Sequence, residues 1–251
     1  MTLFHKITRY LAQIGSLLWN GHFFRLTQKI LSHLFSSKGF AMKKTMLYRL
    51  TDPVFFQPKE NSEAIEVFAG DRESISDMVR DLYDNDPKTL EFYLDFLRQG
   101  FEPWLARHEK RIVGVVWLFS GSYLAPWEGY DGYVLNFVVD STEKFVGNVF
   151  VSNSMRGQGL FPKIANEILN VYPQMLFYSC IDEANTSSRR SHEKVGFKVY
   201  ASVYYFRFWQ YTHCLLLSEK YRVSFFRVKR GKPVDVSLVP RFPLDKKNQA
   251  Q

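Results

Sequence analysis

A four-residue turn, R-G-Q-G at residues 156–159, lies between an apolar strand-like run and a segment with helical periodicity. Glycine at Gly157 and Gly159 lets successive backbone N–H groups point into one concavity. The turn opens the positive end of a helix dipole, and no carboxylate follows it before Glu167. Arg156 adds a fixed positive charge. Residue types in this order bind phosphate groups, so the turn is the first candidate for a functional site.

Other structures also use glycine-rich turns. A dinucleotide-binding fold contains G-x-G, but Pro162 stands where its third glycine is expected, and the preceding strands lack βαβ spacing. A Walker A loop requires G-K-[ST], which does not follow here. On these residues alone an ordinary tight turn stays open. Pro162 suits the first turn of the following helix, because no amide hydrogen is needed at that position.

A second polar segment, N-T-S-S-R-R-S-H-E-K-V-G-F at residues 185–197, follows the apolar run at residues 175–181. The apolar run is typical of a strand that is buried on both faces beside a parallel neighbour. The polar segment predicts a helix that ends at Gly196. Both polar segments therefore follow a strand and begin a helix.

The elements that must position these segments predict a mixed α/β fold. From residue 64 the patterns predict a strand, two helices, a hairpin, a further strand within residues 133–139, and then strand, helix, strand, helix and strand. Asp71 caps the first helix, Asp86 with Pro87 starts the second, and Lys110 marks the hairpin turn. We expect a predominantly antiparallel sheet with one parallel crossover and helices on both faces.

The distribution of charge divides the chain. Of 251 residues, 46% are hydrophobic, which suits one domain with appendages, and the formal net charge is +8. The excess lies in residues 1–51, which contain basic residues and no Asp or Glu; the rest of the chain is balanced, so we expect no nucleic-acid partner. We predict four regions: a basic amphipathic helical arm at 1–51, a main domain at 52–212, a β-hairpin extension at 213–243 and a disordered tail at 244–251.

The cysteines and apolar runs bear on location. Cys180 and Cys214 both lie inside apolar runs, which indicates a reducing compartment rather than a disulfide or a metal site. No apolar run reaches the ~20 residues of a spanning helix, so we expect a cytoplasmic protein. Two interpretations of residues 1–44 stay open: packing on a protein, or contact with an anionic membrane surface. The hairpin at 213–243 either extends the sheet or forms the edge of a homodimer.

Over residues 64–209 the chain resembles the GNAT superfamily of acyl-coenzyme A N-acyltransferases. R-G-Q-G-L at 156–160 is similar to the family's pyrophosphate loop, and N-x(7)-E-K-V-G-F from Asn185 is similar to its second signature. The two motifs occur in the right order and at the right separation. The resemblance implies that strands 147–152 and 175–181 splay apart, leaving a V-shaped gap for the pantetheine arm and the thioester.

The resemblance further implies that acetyl-coenzyme A, or another acyl-coenzyme A, is the cofactor. The implied cofactor-binding residues are Phe150, Val151, Arg156, Gly157, Gln158, Gly159, Leu160, Asn185 and Arg189. The loop amides and Arg156 would hold the pyrophosphate. The backbone of Phe150 and Val151 would meet the pantetheine amides, and Asn185 would bond the same arm. Arg189 lies either on the phosphate side or on a solvated face.

The implied reaction is direct attack of a primary amine, from a small molecule or a peptide, on the thioester. Two residues depart from the family pattern. Phe161 replaces the usual Gly or Ala, and points either into the core or across the cofactor's entrance. His192 replaces the usual Tyr, and is either the acid for the leaving thiolate or a satisfied histidine on a helix face. Tyr178 on the adjacent strand is the second candidate for the acid.

The general base stays unassigned at this level. Strand 147–152 contains Asn148 but no carboxylate, while Asp182 and Glu183 are either a base or a negative start to the next helix. Because of Phe161 and His192, a catalytically silent GNAT-like binding module remains an alternative function. The basic arm keeps a third function open, transfer of a longer acyl group near a membrane.

Overall fold

The computed structural model describes residues 41–55, 65–126, 134–208, 211–218, 223–228 and 234–235. The helices are α1 (Arg72–Leu82), α2 (Pro87–Arg98), α3 (Leu160–Val171) and α4 (Thr186–Lys194), with one 3-10 turn at Asn153–Met155. The strands are β1 (Ala41–Leu50), β2 (Glu66–Ala69), β3 (Glu102–His108), β4 (Arg111–Phe119), β5 (Ser122–Pro126), β6 (Val134–Val138), β7 (Glu143–Val151), β8 (Leu176–Asp182), β9 (Phe197–Phe208), β10 (Tyr211–Ser218), β11 (Val223–Val228) and β12 (Val234–Asp235). The predicted residues 1–40 of the arm and the tail at 244–251 lie outside the described residues.

The fold is the mixed α/β architecture that the sequence predicts. Nine strands form one sheet in the order β11-β10-β9-β1-β8-β7-β4-β3-β2, and a second sheet has the order β12-β6-β5. In the large sheet β7 and β8 pair in parallel and the other neighbours are antiparallel. One hydrophobic core contains the buried faces of α1 and α2, and another contains those of α3 and the β8 face beneath it. Within the described ranges no helix combines the length and apolar character needed to cross a bilayer.

The early elements follow from local rules. The Asp71 carboxylate accepts from the Ser74 amide, and the Ser74 hydroxyl accepts from the Asp71 amide, which completes a capping box on α1. Asp86 caps α2 by accepting from the Thr89 amide. The β3–β4 hairpin turns at Lys110, which takes a φ of 68°. The predicted starts of both helices and the predicted hairpin are confirmed.

Strand β1 corrects the predicted arm. It lies in the middle of the large sheet, antiparallel to β8 on one side and to β9 on the other. Leu47 is buried in the core of α1 and α2, whereas Tyr48 and Leu50 are buried in the core of α3. The prediction of a helical arm is therefore wrong for residues 41–50. The two lysines of K-K-T-M-L-Y-R-L obscured a strand that buries side chains on both faces.

The C-terminal strands correct the predicted hairpin. Within the predicted extension at 213–243, alternation in residues 221–228 and 233–240 on either side of K-R-G-K predicts that these two runs pair with each other. Instead, β11 pairs with β10, which extends the large sheet, and β12 pairs in parallel with β6. The choice of a distant partner over the neighbouring run is a tertiary effect that local alternation does not encode.

The small sheet covers one face of the large one through stacked aromatic rings. Tyr123 of β5 stacks on Phe119 with ring centroids 3.5 Å apart, and Phe137 of β6 stacks on Phe145 at 4.2 Å. The strand predicted near residues 133–139 is present as β6, while β5 was not predicted. Tyr123 is buried and belongs to the core.

Candidate active site

The central feature of the sheet is a gap between its two parallel strands. β7 and β8 are paired from Glu143, opposite Leu176, only as far as Val146, opposite Ser179. Beyond that point β7 pairs with β4 alone and β8 pairs with β1 alone. The strands therefore part over residues 147–151 and 180–182, and the predicted V-shaped gap is present.

A β-bulge lies where the strands part. Asn148 and Val149 of β7 together face the single residue Val116 of β4. Asn148 takes a φ of 45°, which is uncommon for a residue other than glycine, and its buried Nδ2 has no hydrogen-bond partner among the described residues. Bulges of this kind redirect backbone and side-chain groups, and they are frequent beside active sites.

The hydrogen bonds between β7 and β4 determine which backbone groups of β7 face the gap. The Ser152 amide donates to the Val113 carbonyl of β4. Because successive residues of a strand point their backbone groups to opposite sides, Phe150 is also turned toward β4, and Val149 and Val151 are turned toward the gap. The backbone of Val151 therefore faces the gap and that of Phe150 faces β4, and contact of either with the pantetheine arm stays a prediction.

The glycine turn places the N-terminus of α3 at the mouth of this gap. Gly157 and Gly159 take φ values of 79° and 78°, a left-handed conformation that favours glycine. Gly159 is the N-cap of α3 and has no side chain to accept from the first helical amides, such as that of Leu160. A Cβ atom added at Gly157 would meet no atom within 4 Å, so the concavity is open.

A cleft of about 380 Å³ joins the turn, the gap and α4. Its described lining consists of Val149, Phe150, Val151, Met155, Arg156, Gly157, Gly159, Leu160, Phe161, Pro162, Asn185, Ser187, Ser188, Ser191, His192 and Lys194. Arg156 and Lys194 are cationic, and none of these lining residues is Asp or Glu. Since an uncapped helix N-terminus also faces this space, the electrostatics favour an anionic ligand.

Two predicted cofactor residues lie outside the described lining. The Gln158 side-chain amide donates to the Ser154 carbonyl. The Arg189 guanidinium donates to the Tyr48 hydroxyl at 3.1 Å and to the Glu183 carbonyl at 3.2 Å. These two bonds hold the Arg189 guanidinium against β1 and the loop before α4, outside the described cleft lining, and cofactor binding by Arg189 stays a prediction.

Phe161 points into the core. Its side chain is only 5% exposed, and its ring stacks on the His192 ring with centroids 4.3 Å apart. The contact joins α3 to α4 beneath the cleft. Of the two orientations that the sequence leaves open, the structure shows the one that does not close the cofactor's entrance.

His192 is held as a neutral, buried ring. It is 1% exposed, and its Nδ1 lies 2.9 Å from the Ser188 carbonyl, which can only accept, so Nδ1 carries the hydrogen. Nε2 then accepts from the Ser179 hydroxyl at 3.3 Å. Burial lowers the pKa of His192 to about 4. A neutral ring whose one N–H is already donated has no proton for a thiolate, so this geometry argues against His192 as the acid.

The pKa of His192 predicts a pH-dependent stability. Below pH 6.5 the unfolded chain binds a proton at this residue that the native protein does not bind, so stability falls as the pH falls toward 4. We expect a loss of about 1.6 kcal/mol between pH 6.5 and 5. Urea unfolding of the wild type and of His192→Gln at several pH values measures it. Equal slopes for the two proteins would contradict the assignment.

On the opposite face of the sheet lies a carboxylate that the sequence analysis missed. Glu143 of β7 is 6% exposed, and it accepts from the Tyr178 hydroxyl at 3.3 Å and from the Asp140 amide at 3.1 Å. Tyr178, the second predicted acid, thus points away from the cofactor cleft. The strand was predicted to begin at residue 147, so Glu143 was placed in a loop. The alternation of polar and apolar residues in E-K-F-V could have indicated that the strand begins earlier.

The two carboxylates considered from the sequence have other partners. Asp182 accepts from the Ala184 amide in the turn before α4. Glu183 forms an ion pair with Lys44 of β1 at 3.0 Å. Both side chains therefore stabilise the turn between β8 and α4, and neither lines the cleft.

Comparison with solved structures gives remote similarity. One is a functionally unknown conserved protein from Staphylococcus epidermidis, with 12% identity, a TM-score of 0.49, and coverage of 70% of this chain and 66% of that chain. Another is a GNAT-family acetyltransferase from Colwellia psychrerythraea, with 11% identity, a TM-score of 0.45, and coverage of 70% and 60%. The chain therefore spans less than two thirds of the length of either. No curated protein matches the chain.

A family model does match. The model of the acetyltransferase (GNAT) family covers residues 72–197, from the start of α1 to the first residue of β9. The matched span includes the parted strands, the glycine turn and the N-termini of α3 and α4. The chain belongs to the GNAT family of acetyltransferases.

Proposed function

We propose that the protein is an N-acetyltransferase that moves an acetyl group from acetyl-coenzyme A to a primary amine. The observation that carries this proposal is the cleft whose described lining has no carboxylate and at which the uncapped N-terminus of α3 opens beside the parted strands. A diphosphate fits the amides and cations at the mouth, and an extended arm fits the gap between β7 and β8.

Different residues of the cleft contact different parts of the cofactor. The amides of Gly159 and Leu160, with the Arg156 guanidinium, hold the diphosphate. The backbone of Val149 and the Val151 N–H are available to the amides of the arm, as an added strand would be, while the Val151 carbonyl accepts from Arg156 Nε at 3.3 Å. Asn185 accepts from the Ser188 amide through Oδ1, which leaves its Nδ2 to donate to the same arm.

The chain contributes positioning and proton transfer to the reaction. When bound, acetyl-coenzyme A would supply a thioester: its carbonyl carbon would bond to the amine nitrogen as the C–S bond breaks, and the second proton that the nitrogen loses would pass to the departing thiolate, directly or through water, to give the thiol. Backbone donors of β7 at the bulge would stabilise the negative charge that develops on the carbonyl oxygen. Glu143 accepts the proton that the ammonium group loses, through the Tyr178 hydroxyl or water.

Replacing Arg156 with methionine tests the cofactor site. Loss of a charge-assisted bond to a phosphate oxygen is worth about 1.5–3 kcal/mol, so we expect acetyl-coenzyme A to bind about 10- to 100-fold more weakly. Isothermal titration calorimetry measures the affinity. The control is Lys163→Met, which removes a positive charge from α3 at a residue outside the described cleft lining. Equal affinity in Arg156→Met and the wild type would overturn the assignment of the loop.

Thiol release in the presence of an amine library tests the activity itself. Amine-dependent release of coenzyme A supports the transferase. Tight binding of acetyl-coenzyme A without release under any amine supports the catalytically silent binding module instead. Preference for a longer acyl-coenzyme A over the acetyl form identifies the third function.

A further inference from the structure

The C-terminal end of α4 brings a second cation to the cofactor cleft. Lys194 is the last residue of the helix, and it lines the cleft together with Arg156 of the glycine turn. The carboxylate next to it in sequence is turned the other way, because Glu193 accepts from the Tyr48 hydroxyl of β1 at 3.1 Å. The described lining of the cleft therefore has two separate cationic positions and no carboxylate that would neutralise either of them.

A contact between two helices gives the position of Lys194 relative to the diphosphate site. The Phe161 ring, in the first turn of α3, stacks on the His192 ring of α4 with centroids 4.3 Å apart. Lys194 is two residues beyond His192, which is a rise of about 3 Å along α4. It therefore lies beside the N-terminus of α3, and its exposed side chain borders the outer part of the cleft.

Small polar side chains cover the surface of α4 that leads to this lysine. Ser187, Ser188 and Ser191 also line the cleft, and their spacing puts them on the same side of the helix as Lys194. Their size leaves room for a flat group, and a serine hydroxyl can both donate and accept a hydrogen bond. The groove between the diphosphate site and Lys194 can thus hold a nucleoside.

We propose that Lys194 binds the 3′-phosphate on the adenosine of coenzyme A, so that the cleft selects the 3′-phosphorylated cofactor over dephospho-coenzyme A. This inference rests on the proposed function. Coenzyme A has two separate anionic groups, a diphosphate and a monophosphate, which match two separate cations in one cleft. Other adenine nucleotides, such as ADP, share the diphosphate, so contacts at the glycine turn alone do not exclude them. A cation at the monophosphate adds this discrimination.

A lysine in the last turn of a helix also has a structural role, because it interacts favourably with the negative end of the helix dipole. That role affects the free energy of unfolding. It does not depend on which phosphate groups the ligand has. The two roles are therefore separated by comparing two ligands that differ only at the 3′-oxygen of the adenosine.

The test is calorimetric titration with acetyl-coenzyme A and with acetyl-dephospho-coenzyme A, which lacks only the 3′-phosphate. We expect the wild type to bind acetyl-coenzyme A about five- to tenfold more tightly, a modest factor because water screens an exposed ion pair. In Lys194→Met we expect this preference to fall to about twofold or less. The affinity for the dephospho form should be unchanged in that variant, which shows that its cleft is folded. Lys194→Arg should keep the preference.

Two variants separate this inference from the proposed function. Arg156→Met should weaken both ligands by the same factor, because both contain the diphosphate to which its guanidinium is assigned. Lys163→Met removes a lysine of α3 outside the described cleft lining and should keep the wild-type preference. If the wild type binds neither ligand, the proposed function fails. If it binds both without preference, or if the preference survives in Lys194→Met or is lost equally in Lys163→Met, the assignment of Lys194 is overturned.

Discussion

Replacing Gly196 with alanine is expected to destabilise the protein by about 3 kcal/mol or more, enough to unfold a marginal domain. Gly196 takes a φ of 99°, and a Cβ atom there would lie 1.9 Å from the Asp52 carbonyl oxygen. The obstacle is backbone, which cannot move aside as a flexible side chain would. The same contact region holds the segment after β1 against α4, because the Val54 amide donates to the Val195 carbonyl.

A second glycine provides the matched control for this prediction. Gly100 follows α2 with a φ of 78°, and a Cβ atom added there would meet nothing within 4 Å. Gly100→Ala should therefore cost only the left-handed backbone penalty, about 1–2 kcal/mol. Urea unfolding of both variants gives the two values. Equal losses at the two positions would show that the contact with Asp52 is not the cause.

Replacing Gly157 with aspartate is expected to weaken acetyl-coenzyme A binding by about 150-fold or more while leaving the fold intact. The position is open, and Asp is among the residues that tolerate a φ of 79°. Its carboxylate would stand a few ångströms from the diphosphate, where like charges repel by about 3–4 kcal/mol at an intermediate dielectric constant. Calorimetric titration with acetyl-coenzyme A measures the loss.

The isosteric variant Gly157→Asn isolates the charge, since it has the same shape and backbone preference without the negative group. We expect it to lose less than a tenth as much affinity as Gly157→Asp. Gly121→Asp adds the same charge at another open position with a φ of 68° and should bind normally. If Asp and Asn at residue 157 weaken binding equally, the helix mouth does not bind an anion.

Local chemistry explains why much of the fold is predictable from the sequence. The starts of α1 and α2 can be predicted from Asp71 and Asp86, because a capping carboxylate accepts from a backbone amide only three residues further along the chain. The glycine turn is equally local, since a left-handed φ, as at residues 157 and 159, favours glycine in most contexts. These local rules are sufficient to predict the architecture and the glycine turn at the mouth of the cleft.

The remaining features depend on distant partners. The burial of both faces of β1 can be recognised only when β8 and β9 are seen beside it. Its two lysines on their own suggest an exposed segment. Glu143 is recognisable as a buried carboxylate only through Tyr178, 35 residues further along the chain. The partner of Arg189 on α4 is the Tyr48 hydroxyl of β1, which local sequence around α4 does not indicate. For the same reason the ring at His192 is identified as neutral only once Ser179 and Ser188 are seen around it.

The central place of β1 also determines when the protein can fold. On the ribosome this strand emerges early, yet its partners in the sheet lie far downstream: Lys44 and Glu183, which form an ion pair, are 139 residues apart. At a synthesis rate of about 5–20 residues per second, the nascent strand waits on the order of ten seconds for β8 and β9. The sheet therefore closes after most of the chain has been translated, and an apolar strand must be kept from aggregating until then.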